Sequence, residues 1–198
     1  MKFKQILSCI FSIVCTDSFQ LISDFNITNP NIVFHVDKSE NELIDMTTNV
    51  LKEINDLNIY NIQLAFEDQI EEGYNNVNTI THFSQSNYKD LQYGYTQYYF
   101  NSNETDIFIN EYLKYYPTVY YNVLLHEFIH ALGLNHTDVA SIMNYSISLS
   151  DNGYILPDKK MYLSIDDING LQFLYDKYIN NHTICDKTYI ISLIQECL

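Results

Sequence analysis

Apolar and polar positions follow two different periods along this chain. Residues 32–36, Ile32-Val33-Phe34-His35-Val36, are β-branched and aromatic, which predicts a strand. Over 40–55 the apolar positions Leu43, Ile44, Met46, Val50, Leu51 and Ile54 fall mostly at helical spacing, the pattern of an amphipathic helix. Residues 59–66 return to alternation, with Ile62, Leu64 and Phe66 set between polar neighbours as in a half-buried strand. Further strands are expected at 77–83, 91–100 and 105–110, separated by turns rich in Asn, Asp and Ser. The second half changes character. Residues 119–132 form a long apolar segment with few polar interruptions, and 165–178 carry a second helical pattern. No repeat, low-complexity tract or interdomain linker divides the chain, so one α+β domain is expected over 31–180. Residues 17–31 and the tail after 180 read as loose ends.

Length agrees with a single domain: 198 residues suffice for one substantial core but not for two full-sized ones. The formal charge of −15, from 25 acidic and 10 basic residues, repels phosphate backbones and argues against nucleic acid as a partner. At the N-terminus, Lys2 and Lys4 precede an apolar run at 6–15 and then polar residues, the order of a secretory signal peptide over 1–16. A buried N-terminal strand is the alternative. The run is too short for a permanent bilayer span, so a secreted protein without a stable membrane anchor is expected. Residues 17–30 then form a short N-terminal segment, and 181–198 a C-terminal tail. Removing the leader takes Cys9 and Cys15 with it, leaving Cys185 and Cys197 either to close a C-terminal loop or to remain as two thiols. Glycosylation sequons begin at Asn26, Asn103, Asn135, Asn144 and Asn181, of which Asn135 and Asn144 lie inside the site inferred below.

The chemistry concentrates in His126-Glu127-Phe128-Ile129-His130-Ala131-Leu132-Gly133-Leu134-Asn135-His136. Residues four apart share a helix face, so His126 and His130 can present imidazole nitrogens to one metal ion. Glu127 follows the first histidine and can reach a water at the metal's open position. Gly133 stands where the helix must stop and the chain turn back, which returns His136 to the same ion. Three neutral imidazoles and a water make the tetrahedral site of a catalytic zinc. With this chain's residue frequencies, the four required matches after any of its six histidines arise by chance with a probability of roughly 7 × 10⁻⁶.

This segment resembles the metzincin signature HExxHxxGxxH, and Ser141-Ile142-Met143-Asn144-Tyr145 resembles the Met-turn that accompanies it. Thr137, directly after the third histidine, is similar to the Ser or Thr that marks matrixins. Residues 163–175, Leu163-Ser164-Ile165-Asp166-Asp167-Ile168-Asn169-Gly170-Leu171-Gln172-Phe173-Leu174-Tyr175, resemble the matrixin C-terminal helix. The resemblance implies a metzincin catalytic domain: a mixed, mostly parallel β-sheet with an active-site helix, a Met-turn and a C-terminal helix. It also implies a zinc endopeptidase acting on protein or peptide substrates as a monomer, with one catalytic zinc on His126, His130 and His136, and with Glu127 as general base. Met143 would pack beneath the histidines. One of Asp166 and Asp167 would hydrogen-bond under the site, where negative charge at a helix start is also favoured. An extended substrate would lie beside the strand near 91–95, with 145–156 shaping the pocket past the scissile bond.

Departures from the family pattern narrow this expectation. His82 stands alone where vertebrate matrixins hold a second, structural zinc, so none is expected here. The PRCGxPD cysteine switch is absent, and Asp24 is the candidate for a latency role in its place. Tyr145, two residues past Met143, is either a fifth zinc ligand or oxyanion partner, or a tyrosine of the substrate wall. His35 and His182 read as packing or surface histidines. Calcium is the other metal the resemblance suggests. Asp106 with Glu104 or Asn103, and Asp68 with Glu71 or Glu72, offer hard oxygen ligands, or else are solvated loop carboxylates. A zinc-binding module without catalysis and a metal-stabilised structural protein are the competing classes. The first has no use for Glu127, and the second predicts a closed four-ligand site with no water.

Overall fold

The computed structural model describes residues 19–22, 27–70, 77–84, 92–138, 140–144 and 159–179. The leader at 1–16, Asp24, Glu71, Glu72, Tyr145 with the 145–156 wall, His182, Cys185 and Cys197 lie outside the described residues.

A short strand β1 (Gln20–Leu21) precedes strand β2 (Asn31–Val36), helix α1 (Asn41–Asn55) and strand β3 (Asn61–Phe66). Strands β4 (Asn78–Phe83), β5 (Gly94–Tyr99) and β6 (Glu104–Asn110) follow, then helix α2 (Pro117–Ala131), strand β7 (Leu134–Asn135) and helix α3 (Ile165–Tyr178). Five strands form one sheet in the order β3-β2-β4-β6-β5. The β2–β3, β2–β4 and β4–β6 pairs are parallel, and only β5 runs antiparallel, along β6. The mixed, mostly parallel sheet expected from the sequence is therefore the one observed.

Alternation explains which face of the sheet is covered. Ile32, Phe34 and Val36 of β2, Ile80 of β4, and Ile107 and Ile109 of β6 are buried together with Leu43, Val50, Leu51 and Ile54 of α1. Helix α2 is apolar on all sides, with twelve of its residues from Val119 to Ala131 buried, because it is enclosed by the sheet, α1 and the chain that follows it. The Phe128 ring meets Phe34 of β2 edge-on at 5.0 Å, which seats the helix on the centre of the sheet. Pro117 occupies the first turn of α2, where its missing N–H costs nothing, so the helix begins two residues before the apolar run at 119.

Two expectations need correction. The segment read as a loose end at 17–31 is anchored in part: Gln20 and Leu21 pair antiparallel with Asn135 and Leu134, and the Ile22 amide donates to the Gly133 carbonyl at 2.9 Å. The anchor is apolar, since Phe19 packs its ring on Phe173 of α3 at 5.5 Å. The fifth strand is also shorter than 91–100. In addition, two 3₁₀ turns, Glu67–Gln69 and Glu111–Tyr115, escaped the periodicity because neither is long enough to show one. Among the described residues, no helix is long and apolar enough to cross a membrane.

Candidate metal centre

The apolar faces of α2 pin the helix so that His126, Glu127 and His130 open on one cleft of about 550 Å³, whose lining also includes His136, Gly94, Thr96 and Tyr98. At its C-terminal end the helix stops at Gly133, whose φ of 104° is the left-handed region that side chains with a Cβ rarely adopt. The turn is held by the Gly133 amide on the His130 carbonyl at 2.7 Å, and it brings His136 back over the helix. Alanine at this position must strain the turn by about 1–3 kcal/mol. Gly133→Ala is accordingly expected to lower both the melting temperature and the zinc affinity, read by thermal denaturation and by competition with a chromogenic chelator.

The three imidazoles converge. His136 Nε2 lies 3.2 Å from His130 Nε2 and 3.2 Å from His126 Nε2, and this trio is the cluster among the described residues able to hold a metal ion. The other ring nitrogens fix the tautomers. His126 Nδ1 donates to the Ile142 carbonyl and His130 Nδ1 to the Leu134 carbonyl, each at 2.7 Å. A carbonyl can only accept, so both Nε2 atoms carry lone pairs aimed at the shared point. Burial also drives these rings toward the neutral form a metal requires, lowering His126 to about 4 and His130 to about 3. Four-coordinate zinc with 2.0–2.1 Å bonds needs nitrogens about 3.3–3.4 Å apart, close to the two spacings found, and His126 and His130 also suit zinc in tautomer and charge state.

Glu127 is 5 % exposed, and burial raises its carboxyl to about 7 against the opposing influence of the Thr96 hydroxyl. Thr96 Oγ1 donates to Glu127 Oε2 at 2.8 Å and lies 3.0 Å from the Glu127 carbonyl oxygen. Gly94, on the same face of β5, leaves the room Glu127 occupies: a Cβ there would stand 3.0 Å from Glu127 Cγ and 3.2 Å from its Oε1. Neither residue was found from the sequence. Alternation predicts which way Thr96 points, but not what it meets.

Behind the histidines, the chain from 141 to 144 closes on the third ligand. The Thr137 amide donates to the Met143 carbonyl at 2.9 Å, the Met143 amide donates to Ser141 Oγ at 2.9 Å, and Met143 is buried. Asp167 ties this support to α3. It accepts from the Ser164 amide at 2.8 Å in a capping box that starts α3, and it also takes a hydrogen bond from the Ser141 side chain. The dual role expected for one of Asp166 and Asp167 thus falls to Asp167.

A family model for matrixin matches residues 48–176, from the second half of α1 through the cleft to nearly all of α3. The chain belongs to the matrixin family. Matrixins are zinc metalloendopeptidases, so this matrixin is a protease of that class, using a catalytic zinc and taking proteins as substrates. No curated protein is similar enough to the chain to match it.

The remaining candidates lie elsewhere in this matrixin. His82 has both ring nitrogens engaged, Nδ1 with Glu40 Oε2 at 2.8 Å and Nε2 with the Tyr120 hydroxyl at 2.7 Å. His35 sits in β2 with its Nδ1 buried and unpartnered. Of the carboxylates considered for calcium, Asp106 accepts from Thr79 Oγ1 at 2.6 Å and from the Tyr99 hydroxyl at 2.9 Å, while Asp68 pairs with Lys38 at 2.6 Å.

Proposed function

We propose that the protein is secreted and cleaves internal peptide bonds, with zinc held by His126, His130 and His136 and with Glu127 as the general base. The observation carrying this reading is the convergence of three imidazoles, with His136 Nε2 3.2 Å from those of His126 and His130, beside the buried Glu127 carboxylate. When bound, zinc supplies Lewis acidity, acidifying a water at its open position and polarising a carbonyl. The Glu127 carboxylate takes a proton from the attacking water and returns it to the leaving nitrogen. A carboxyl near 7 suits a group that must be both base and acid within one turnover. The Ile142 and Leu134 carbonyls keep the first two histidines from rotating during that cycle. Strand β5 is the outermost of the sheet and borders the cleft through Gly94, Thr96 and Tyr98, so an extended substrate can add to its free edge by main-chain hydrogen bonds. Tyr145 follows the turn at Met143 and is proposed to assist at the oxyanion. Secretion rests on the leader pattern of 1–16, and a monomer is the proposed working form.

The test is mass spectrometry of the products from an unfolded protein substrate, with and without a chelator. Internal fragments that disappear on chelation and return with zinc are expected. Trimming from the termini alone, or an inert zinc-loaded protein, contradicts the proposal.

One glycine supplies a sharper check. Gly94→Ala sets a Cβ 2.8 Å from Val123 Cγ1 and 3.0 Å from Glu127 Cγ, so Val123 must shift and the Glu127 side chain must give by a few tenths of an ångström. A folded, zinc-binding variant with kcat lowered roughly 10- to 10²-fold is expected, because displacing a catalytic group by a fraction of an ångström is costly. Steady-state kinetics alongside metal analysis reads both quantities.

A further inference from the structure

The Glu127 side chain has three rotatable bonds, and a general base works only if one carboxylate oxygen is held toward the reacting water. Nothing in its own helix holds it. The contact that does comes from β5, where Thr96 presents its hydroxyl from the cleft-facing side of the strand, in register with Ile107 of β6. Ile107 is fully buried, so the strand carrying Thr96 is fixed to the core at that point. Threonine is β-branched, with few rotamers open to it in a strand, so the hydroxyl is a stiff donor. It bonds Oε2 at 2.8 Å, while Oε1 lies over the space left by Gly94. The two oxygens are thereby made inequivalent, one hydrogen-bonded to the Thr96 hydroxyl and the other, over Gly94, without that bond.

We propose that Thr96 is a positioning residue for catalysis, acting through Glu127 by locking its Oε2 so that Oε1 is the oxygen that handles the proton. This rests on the reading of Glu127 as the general base. Two residues of one edge strand, Gly94 by its lack of a side chain and Thr96 by its hydroxyl, then define where the base sits. The strand that borders the substrate also aims the proton acceptor.

The experiment compares Thr96→Val, Thr96→Ala and Thr96→Ser with wild type in kcat, KM, zinc content and melting temperature, with Glu127→Gln run in parallel. Valine keeps the shape and removes the O–H. A kcat lowered about tenfold or more is expected, with KM within about twofold and one zinc per chain, since a hydrogen bond to a charged acceptor is lost. Serine should restore kcat to within about threefold of wild type, because it keeps the donor. If the valine variant fails to fold, alanine against serine decides the point, as the pair differs only in the hydroxyl. Combining Thr96→Val with Glu127→Gln should add no further loss if both act as one unit. The proposal is overturned if the valine variant, or alanine in its place, keeps wild-type kcat, or if serine loses as much as alanine. It is also overturned if the double variant falls by the product of the single losses. A fully active Glu127→Gln enzyme would instead sink the general-base reading, and Thr96 with it. An inactive Glu127→Gln enzyme beside a fully active Thr96→Val removes Thr96 alone.

Discussion

Glu127→Gln lowers kcat for peptide hydrolysis by about 10² to 10⁴, the range that general acid–base groups contribute, and leaves KM within a few-fold. Glutamine matches glutamate in shape and can still accept from Thr96 Oγ1, so the loss reports proton transfer and not a collapsed cleft. Zinc content should remain near one per chain, because the proposed ligands are His126, His130 and His136. With the metal removed, the variant should fold at least as stably as wild type near neutral pH. Glu127 is buried and its carboxyl is raised to about 7, so ionising it inside the protein costs stability that the neutral amide does not. A variant with undiminished kcat would remove the glutamate from the mechanism. One that lost its zinc would make Glu127 a structural support of the ligands.

Chelation should abolish hydrolysis, added zinc should restore it, and His130→Ala should not be rescued by zinc at concentrations that saturate wild type. His130 is the most demanding of the three to replace: it is 8 % exposed, its Nδ1 bonds the Leu134 carbonyl, and its Nε2 meets that of His136. The same burial makes the metal-free protein acid-sensitive. Free histidine titrates near 6.5, whereas His126 and His130 are held down to about 4 and about 3 in the fold. Between those values the unfolded chain takes up protons that the folded chain refuses, so stability falls as pH drops from about 6.5 toward about 4. Glu127 runs the other way: its raised carboxyl makes the folded chain the better proton acceptor, so its contribution falls as pH rises from 4.5 toward 7. Melting the chelated Glu127→Gln variant across this range removes that opposing influence. A melting temperature flat from pH 6.5 to 4 would show that the histidines are not buried as described.

The β2-α1-β3 unit was legible because its apolar residues repeat with the period of each element over six to fifteen positions. Helix α3 begins and ends at the residues its pattern predicts, since Ser164 and Asp167 write its N-terminus as a capping box in the sequence itself. The two-residue pair β1–β7 left no such trace. A strand that short has no period, and its partner lies more than a hundred residues away.

For the site, the division follows how far apart along the chain the cooperating groups lie. The sequence alone determined the histidine triad that could hold a metal: His126 and His130 share a face by helix geometry, and Gly133 brings back His136, all within eleven residues. Tertiary structure decided everything that makes those ligands a working site. The carbonyl that orients His126 comes from Ile142, the hydroxyl on Glu127 from a strand 31 residues upstream, and the carboxylate that steadies the turn at Ser141 from α3. Each of these is a contact between segments that only the tertiary packing brings together. Local spacing can specify groups one helical turn apart, whereas the tautomer, burial and aim of those groups depend on neighbours distant in the chain.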